Sequence, residues 1–371
     1  MTPIRVLFVT ASPDRGGAEA IVLELITRID RARVTPVAVA CSGGAFVEEL
    51  RATGCEVLDV GTLGRMREFG RTFAVVRRLA AAIRRERIDI VHNHGTMAHL
   101  VGGLAAKMAG VPSVQHVQDL YGGGLSVDAV LQRLTLRVPA AARVAASHLI
   151  RTEMIVAGAP RSRVRLVNNG VSLKTTAAAF ASEGPVVVWC GRLQRWKGTH
   201  VFLDAARQIA DAHPATRFLI VGGTLFDKEP EYAGQLREQV QTLGLSDAVT
   251  FTGHVEDSRP YFAAADVVVH SSIKPEPFGL VVAEAMAEGK PVVAFDEGGP
   301  SEMIESGRSG RLVAPGDTGA LAAAVIDLLN RPDLRAKIGA AAQQRARHFS
   351  AGETTRRMHD VYDEVMQGRR R

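Results

Sequence analysis

Residues 266–295 read DVVVHSSIKPEPFGLVVAEAMAEGKPVVAF, a strand, a loop, a helix and a second strand. The run 266–270 is short, β-branched and near-continuously apolar, the pattern of a strand covered on both faces. A loop with two prolines, Pro275 and Pro277, follows. A helix is expected from near Gly279 to Glu288, where Gly289 supplies a natural stop and Pro291 blocks continuation. The next strand is then 291–295. A unit that returns to strand after one helix builds a parallel sheet.

The same alternation runs outward through most of the chain. Further strands are expected at 4–10, 34–40, 88–92, 113–117, 143–146 and 164–168, then at 186–190, 217–222 and 248–252. Between the two series lies KTTAAAFASEGP at 174–185, which lacks a periodic apolar pattern and ends in Gly-Pro. It reads as a linker. The 371 residues are too many for one ordinary core and imply about two domains. We assign them to 1–178 and 185–350. The fold class is therefore α/β, two Rossmann-like doubly wound parallel-sheet domains. Ligands of such sheets bind beyond the carboxyl ends of the strands, so two such edges are expected to face a central cleft.

Composition narrows the function. Hydrophobic residues at 46% and charged residues at 23% exclude wholesale disorder. No apolar run approaches the ~18–20 residues that span a bilayer. Residues 1–10 carry one arginine and an apolar run without a small-residue cleavage site, and read as a first strand. Three cysteines, Cys41, Cys55 and Cys190, show no CxxC spacing, which fits a reducing cytoplasm. Neither GxGxxG nor GxxxxGK[ST] occurs, which weighs against a nicotinamide enzyme or a P-loop NTPase.

Four loops carry chemistry. In the quoted stretch, the helix N-terminus at Gly279 presents free N–H groups and partial positive charge, suited to a phosphate. Glu276 before it and Glu284 within it can accept hydrogen bonds from sugar hydroxyls. The loop CGRLQRWKG at 190–198 follows the first strand of the second half. Its Arg192 offers a planar fork and Lys197 a mobile point charge for phosphate oxygens. DRGGAE at 14–19 brings Gly16 and Gly17 to the first strand–helix turn. VQHVQDLYGGG at 114–124 places His116 at a strand's carboxyl end. His92 and His94 share one face of a strand, an HxH pair that finds no further ligand of convincing spacing in the sequence, so no metal is assigned to it. No DxD pair exists to hold a metal against a diphosphate. Arg192, Lys197 and the helix end supply positive potential in its place.

Taken together, GGAE (16–19), the strand-end His116, NNGV (168–171), GRLQRWKG (191–198) and EPFGLVVAEAMAEGKPVV (276–293) resemble glycosyltransferase family 4, a retaining GT-B family. Glu276 and Glu284 match its EX7E signature, and GGPSEMIESGRSGRLVAPGD at 298–317 resembles its usual continuation. The resemblance spans nearly the whole chain and implies a nucleotide-sugar donor, a hydroxyl acceptor and no metal or other cofactor. A UDP-sugar is expected before GDP-mannose. The resemblance places Glu276 on the sugar, Glu284 on the ribose, and Arg192 and Lys197 on the diphosphate. Backbone amides of Phe278, Gly279, Leu280 and Val281 would meet sugar and phosphate. Val255 would contact the base, His116 the reacting sugar, and Gly16 and Gly17 the phosphates from the other domain. It also implies that residues from about 351 cross back onto the first domain.

Net charge is +6, and much of the excess is local: segment 65–87 holds eight arginines against two glutamates. Over 71–87, Phe73, Val76, Leu79 and Ile83 form one helical face, with Arg71, Arg78 and Arg85 opposite. A solvated face is the first reading and a weak contact with an anionic membrane the second, which would place the chain in the cytoplasm or at the inner membrane face. No basic–aromatic interleaving supports nucleic-acid binding. Loops 63–70 and 121–127 are expected to select the acceptor. The rival functions are another GT-B enzyme, such as a glycosyl phosphorylase or nucleotide-sugar epimerase, and a non-catalytic nucleotide-sugar-binding protein.

Overall fold

Alternation along each strand builds two cores per sheet. In the first strand Val6 and Phe8 enter one apolar cluster and Leu7 and Val9 another, on the opposite face. In the strand that opens the second half, Val187 and Trp189 are divided in the same way from Val186 and Val188. Burial on both faces is the habit of parallel sheets, with helices covering each side. The structure is a computed structural model that describes residues 2–10, 17–40, 45–60, 69–121, 127–224 and 229–370.

The chain divides into two compact units, Met1–Gly170 with Ala351–Arg371, and Val171–Ser350. The first holds β1 (Ile4–Thr10), β2 (Val34–Ala40), β3 (Glu56–Leu58), β4 (Ile90–His94), β5 (Ser113–Val117), β6 (Ala142–Ala145) and β7 (Val164–Leu166). Their order is β3-β2-β1-β4-β5-β6-β7, all parallel. The second unit holds β8 (Val186–Cys190), β9 (Arg217–Val221), β10 (Val249–Gly253), β11 (Val267–His270), β12 (Val292–Phe295) and β13 (Arg311–Val313). Its order, β10-β9-β8-β11-β12-β13, repeats the same winding. Each sheet reverses its strand order once, between β1 and β4 and between β8 and β11. These switch points are where an open α/β sheet leaves a crevice for ligands.

Three expectations are corrected. The segment 174–185 is no free linker and lies wholly within the second unit. Thr176 donates to Glu288 through its backbone N–H (3.2 Å) and hydroxyl (3.0 Å), and the Ala179 N–H donates to the Pro260 carbonyl at 2.8 Å. The short edge strands β3 and β13, three residues each, were not among the expected strands. In the helix Phe69–Arg85, Val76, Leu79 and Ile83 are buried as expected, but Phe73 is 60% exposed. Arg77, Arg78, Arg84 and Arg85 face outward. Arg65 and Arg67 lie outside the described residues, as do Cys41 and most of the loops 63–70 and 121–127.

The helix Ala351–Arg370 packs on the first sheet through Met358, Val361, Tyr362 and Val365. It extends further than its apolar periodicity, and Arg369 stays helical and pairs with Asp89 at 3.9 Å. Among the described residues, no helix is long and apolar enough to cross a membrane.

Candidate active site

The loops after β8 and β11, the two strands at the switch point of the second sheet, are locked together by close backbone approach. Gly198 has φ +70, and a Cβ there would lie 1.8 Å from the Ser271 carbonyl oxygen. Ser271 donates to the Gly198 carbonyl at 2.8 Å and accepts from the Trp189 indole at 3.1 Å. The Ile273 N–H donates to the Trp196 carbonyl at 2.8 Å. A side chain at 198 would push the two loops apart.

Gly298 and Gly299 clamp the second loop from its other side. A Cβ at 299 would lie 1.7 Å from the Phe278 carbonyl oxygen, and one at 298 would lie 2.5 Å from that of Glu276. The Gly299 N–H donates to the Glu276 carbonyl at 2.8 Å. The loop 271–279 thus has little freedom, and the side chains it carries are preorganised.

Glu276 is buried and accepts from the Lys197 ammonium at 2.5 Å. Ser272 donates to the same carboxylate at 3.3 Å, and His270 lies 3.4 Å from it. Burial alone would raise the carboxyl's pKa. The Lys197 charge and the His270 contact outweigh burial and hold it far below the usual carboxylate range. Lys197 also lies over the Trp196 ring, 4.2 Å from its centroid. Arg192, two residues beyond β8, is half-buried, and its guanidinium makes no hydrogen bond or ion pair among the described residues.

The helix Leu280–Ala287 starts at Gly279, which has φ 95 and contributes no side-chain cap. The Val282 N–H donates to the Gly279 carbonyl at 3.0 Å, and the N–H groups of Leu280 and Val281 before it keep their capacity for an anion. Phe278 is buried against Phe349, while Leu280 and Val281 are half-buried at the helix start. Glu284 sits one turn in and accepts from Ser258 at 3.2 Å. Burial, with Asp257 adding to it, pushes its pKa up to about 7 against the opposing pull of Ser258 and Arg259. The Cys190 thiol is also held well above its ordinary value by burial and then by Glu284, so it is no nucleophile. Val255 follows β10 and packs its side chain on the core, leaving its backbone at the same strand edge. There Gly222 approaches Gly191 so closely that a Cβ would lie 2.1 Å from its carbonyl oxygen.

The second unit thus brings Lys197 and Glu276 together beside the start of the helix Leu280–Ala287, with Arg192 in the loop that carries Lys197 and Glu284 further along the helix. His116 belongs to the first unit. It is fully buried on β5, and burial, then His99, pushes its pKa down to about 3. Its imidazole lies against His92 and His94, a grouping set by strand register and absent from sequence spacing. Gly17 opens the helix Gly17–Arg28, and Gly16 lies outside the described residues. Sequence reading missed His270, Ser272 and Ser258 as carboxylate partners. His270 was within reach of the rule that singled out His116, since both stand at the carboxyl end of a parallel strand.

Two consequences follow from burial. Lys197→Ala leaves an uncompensated buried carboxylate and should lower stability by about 3–5 kcal/mol in denaturant melts. Adding Glu276→Gln should recover most of that loss, and a double variant no more stable than the single one would contradict the pairing. Glu284 has its pKa raised on folding, so its stabilising contribution is complete below the unfolded carboxyl pKa and is lost as pH rises through about 7. Glu284→Gln should therefore raise the melting temperature at pH 8 and leave it nearly unchanged at pH 4.5. An equal shift at both pH values would contradict the burial of the charge.

The profile described as Glycosyltransferase Family 4 matches residues 15–175, and that described as Glycosyl transferases group 1 matches 174–345. A D-inositol 3-phosphate glycosyltransferase of Nocardioides sp. is 31% identical over 96% of this chain and 84% of its own length. D-inositol 3-phosphate glycosyltransferase 1 of Catenulispora acidiphila is 29% identical over 98% of this chain and 91% of its own. Among solved structures, Anabaena HepE in complex with UDP-glucose superposes with a TM-score of 0.84 at 28% identity, covering 97% of this chain and 99% of that one. With two parallel Rossmann-like sheets and sequence relatives across both, the chain belongs to glycosyltransferase family 4 and is a glycosyltransferase of the GT-B fold.

Proposed function

We propose that this enzyme moves a sugar from a nucleotide-sugar donor, a UDP-sugar before GDP-mannose, to a hydroxyl acceptor with retention of anomeric configuration. The observation that carries the reading is the Lys197–Glu276 pair set beside the uncapped helix end at Gly279 and the unpartnered guanidinium of Arg192. A sugar diphosphate is the complement of that pair. Its phosphate oxygens replace Glu276 around Lys197, and its sugar hydroxyls replace Lys197 at Glu276, so neither buried charge is left bare. The relative whose structure contains UDP-glucose supports a UDP-sugar. The curated relatives are named for D-inositol 3-phosphate, a phosphorylated polyol, which supports a hydroxyl acceptor.

As the glycosyl bond breaks, negative charge grows on the departing diphosphate. Arg192, Lys197 and the helix N-terminus stabilise that charge more in the transition state than in the ground state. These fixed donors fill the role that a metal fills elsewhere. Glu276 orients the sugar hydroxyls, Glu284 accepts from the ribose, and the backbone at Val255 meets the base. His116, neutral throughout, contributes a hydrogen bond beside the sugar. Same-face attack, with a phosphate oxygen taking the acceptor's proton, gives retention without a covalent enzyme intermediate.

Incubated with UDP-glucose and a panel of sugar and polyol-phosphate acceptors, the enzyme should release UDP in step with acceptor glycosylation, and EDTA should not slow it. Arg192→Ala should lower transfer on the order of 10²–10³-fold without lowering the melting temperature. Near-normal transfer by that variant would contradict the diphosphate assignment. Loss of donor without any acceptor product would favour an epimerase or hydrolase.

A further inference from the structure

Three neighbouring helices of the first unit, Phe69–Arg85, Thr96–Ala109 and Val127–Thr135, cover one face of its sheet. The first two pack there through Val76, Leu79, Val101 and Ala105, in one cluster with Leu7, Val9 and Val91. The third is tied to the same face by Gln115, which stands in register with Asn93 on β4 and donates to the Thr135 carbonyl at 3.1 Å.

The outer sides of these helices repeat one pattern. Leu104, Lys107 and Met108 stand at i, i+3 and i+4 on the second helix, all exposed, and Val130, Arg133 and Leu134 take the same places on the third. On the first helix Phe73 and Arg77 stand four apart, both exposed. Apolar side chains scattered singly on a surface are ordinary. These are gathered: among the described residues eight large apolar side chains are exposed, and five of them lie on these three helices. Charge is equally one-sided. The three helices hold seven Arg and Lys against one acid, Asp128. Arg85 pairs with Glu86 just beyond its helix, and Arg84 donates to the Met108 carbonyl, joining the first helix to the second. The side chains of Arg77 and Lys107 make no hydrogen bond or ion pair among the described residues.

We propose that this face docks on the surface of a bilayer that carries anionic phospholipid. Such a surface offers phosphate outermost and hydrocarbon beneath, the complement of cations interleaved with apolar tips. Lipid phosphates meet Arg77, Lys107 and Arg133, and the side chains of Phe73, Leu104, Met108, Val130 and Leu134 reach the boundary between headgroups and acyl chains. Lys and Arg suit that boundary, because their aliphatic stems lie among apolar groups while their charged ends stay with the phosphates. The negative potential of the leaflet attracts every cation that no nearby acid offsets. A second copy of the chain is the poorer occupant. A two-fold interface sets a face against itself, which here brings cation against cation with one acid per chain to offset them. The contact is peripheral, since no helix among the described residues is long and apolar enough to cross a membrane. None of these side chains is a proposed donor contact, so docking and transfer are read separately.

Full-length chain should sediment with vesicles of phosphatidylcholine and phosphatidylglycerol at physiological ionic strength, and stay in solution with phosphatidylcholine alone. Salt at about 1 M, which shortens the screening length to ~3 Å, should release most of it. Arg77→Gln and Lys107→Gln should each weaken partitioning about fivefold. Leu104→Ser combined with Leu134→Ser should weaken it about tenfold. All four positions are exposed, so the melting temperature should hold in every variant. No sedimentation with the anionic vesicles, equal sedimentation with neutral ones, or unchanged partitioning in these variants would overturn the proposal. So would concentration-dependent self-association in free solution that the two leucine changes abolish, which would give the face to a second copy.

Discussion

The ion pair between Lys197 and Glu276 organises the second unit's chemistry. Its two partners come from loops after β8 and β11, the strands between which the sheet reverses its order. Two buried opposite charges offset each other's desolvation only in close contact. The loops must therefore be held together, and three glycines with one serine hold them. Gly198 and Ser271 bring one loop onto the other, while Gly298 and Gly299 press on residues 276–278. The proposed contacts of Arg192, Lys197, Glu276, Glu284 and the Phe278–Val281 backbone lie on the loops of this framework or on the helix that follows them.

The pair also links stability to function. A buried carboxylate and ammonium that neutralise each other form a site already matched to a ligand with anionic and hydroxyl parts. Such a ligand exchanges partners and creates no new buried charge. Arg192 differs, since its guanidinium makes no hydrogen bond or ion pair among the described residues and is proposed to meet a phosphate. Glu284 differs again. Its carboxyl is held near neutrality by burial, and a ribose hydroxyl donating to it would favour the charged form.

Much of this was legible in the residues. Short runs rich in apolar and β-branched residues marked the longer strands, and Gly289 with Pro291 marked the end of the helix that carries Glu284. Glu276, Arg192 and Lys197 stood out because each follows a strand in a glycine-bearing loop, and Glu284 because it lies on the helix that one of these loops opens. The rest depends on contacts distant in sequence. Edge strands β3 and β13, three residues each, went unread. The bond between Lys197 and Glu276 spans 79 residues. His116 joins His92 and His94 through the register of β4 against β5, which no spacing within either strand reveals. Segment 174–185 looked like a linker because its ties to Glu288 and Pro260 are made by backbone groups and one hydroxyl, without an apolar pattern.

The most direct test is an experimental structure of the chain with an intact UDP-sugar. The account predicts the phosphate oxygens within hydrogen-bond reach, ~2.7–3.2 Å, of Arg192, Lys197 and the N–H groups at the start of the helix Leu280–Ala287, with Glu276 turned to sugar hydroxyls. A donor bound elsewhere, with the Lys197–Glu276 pair intact and Arg192 still unengaged, would contradict it.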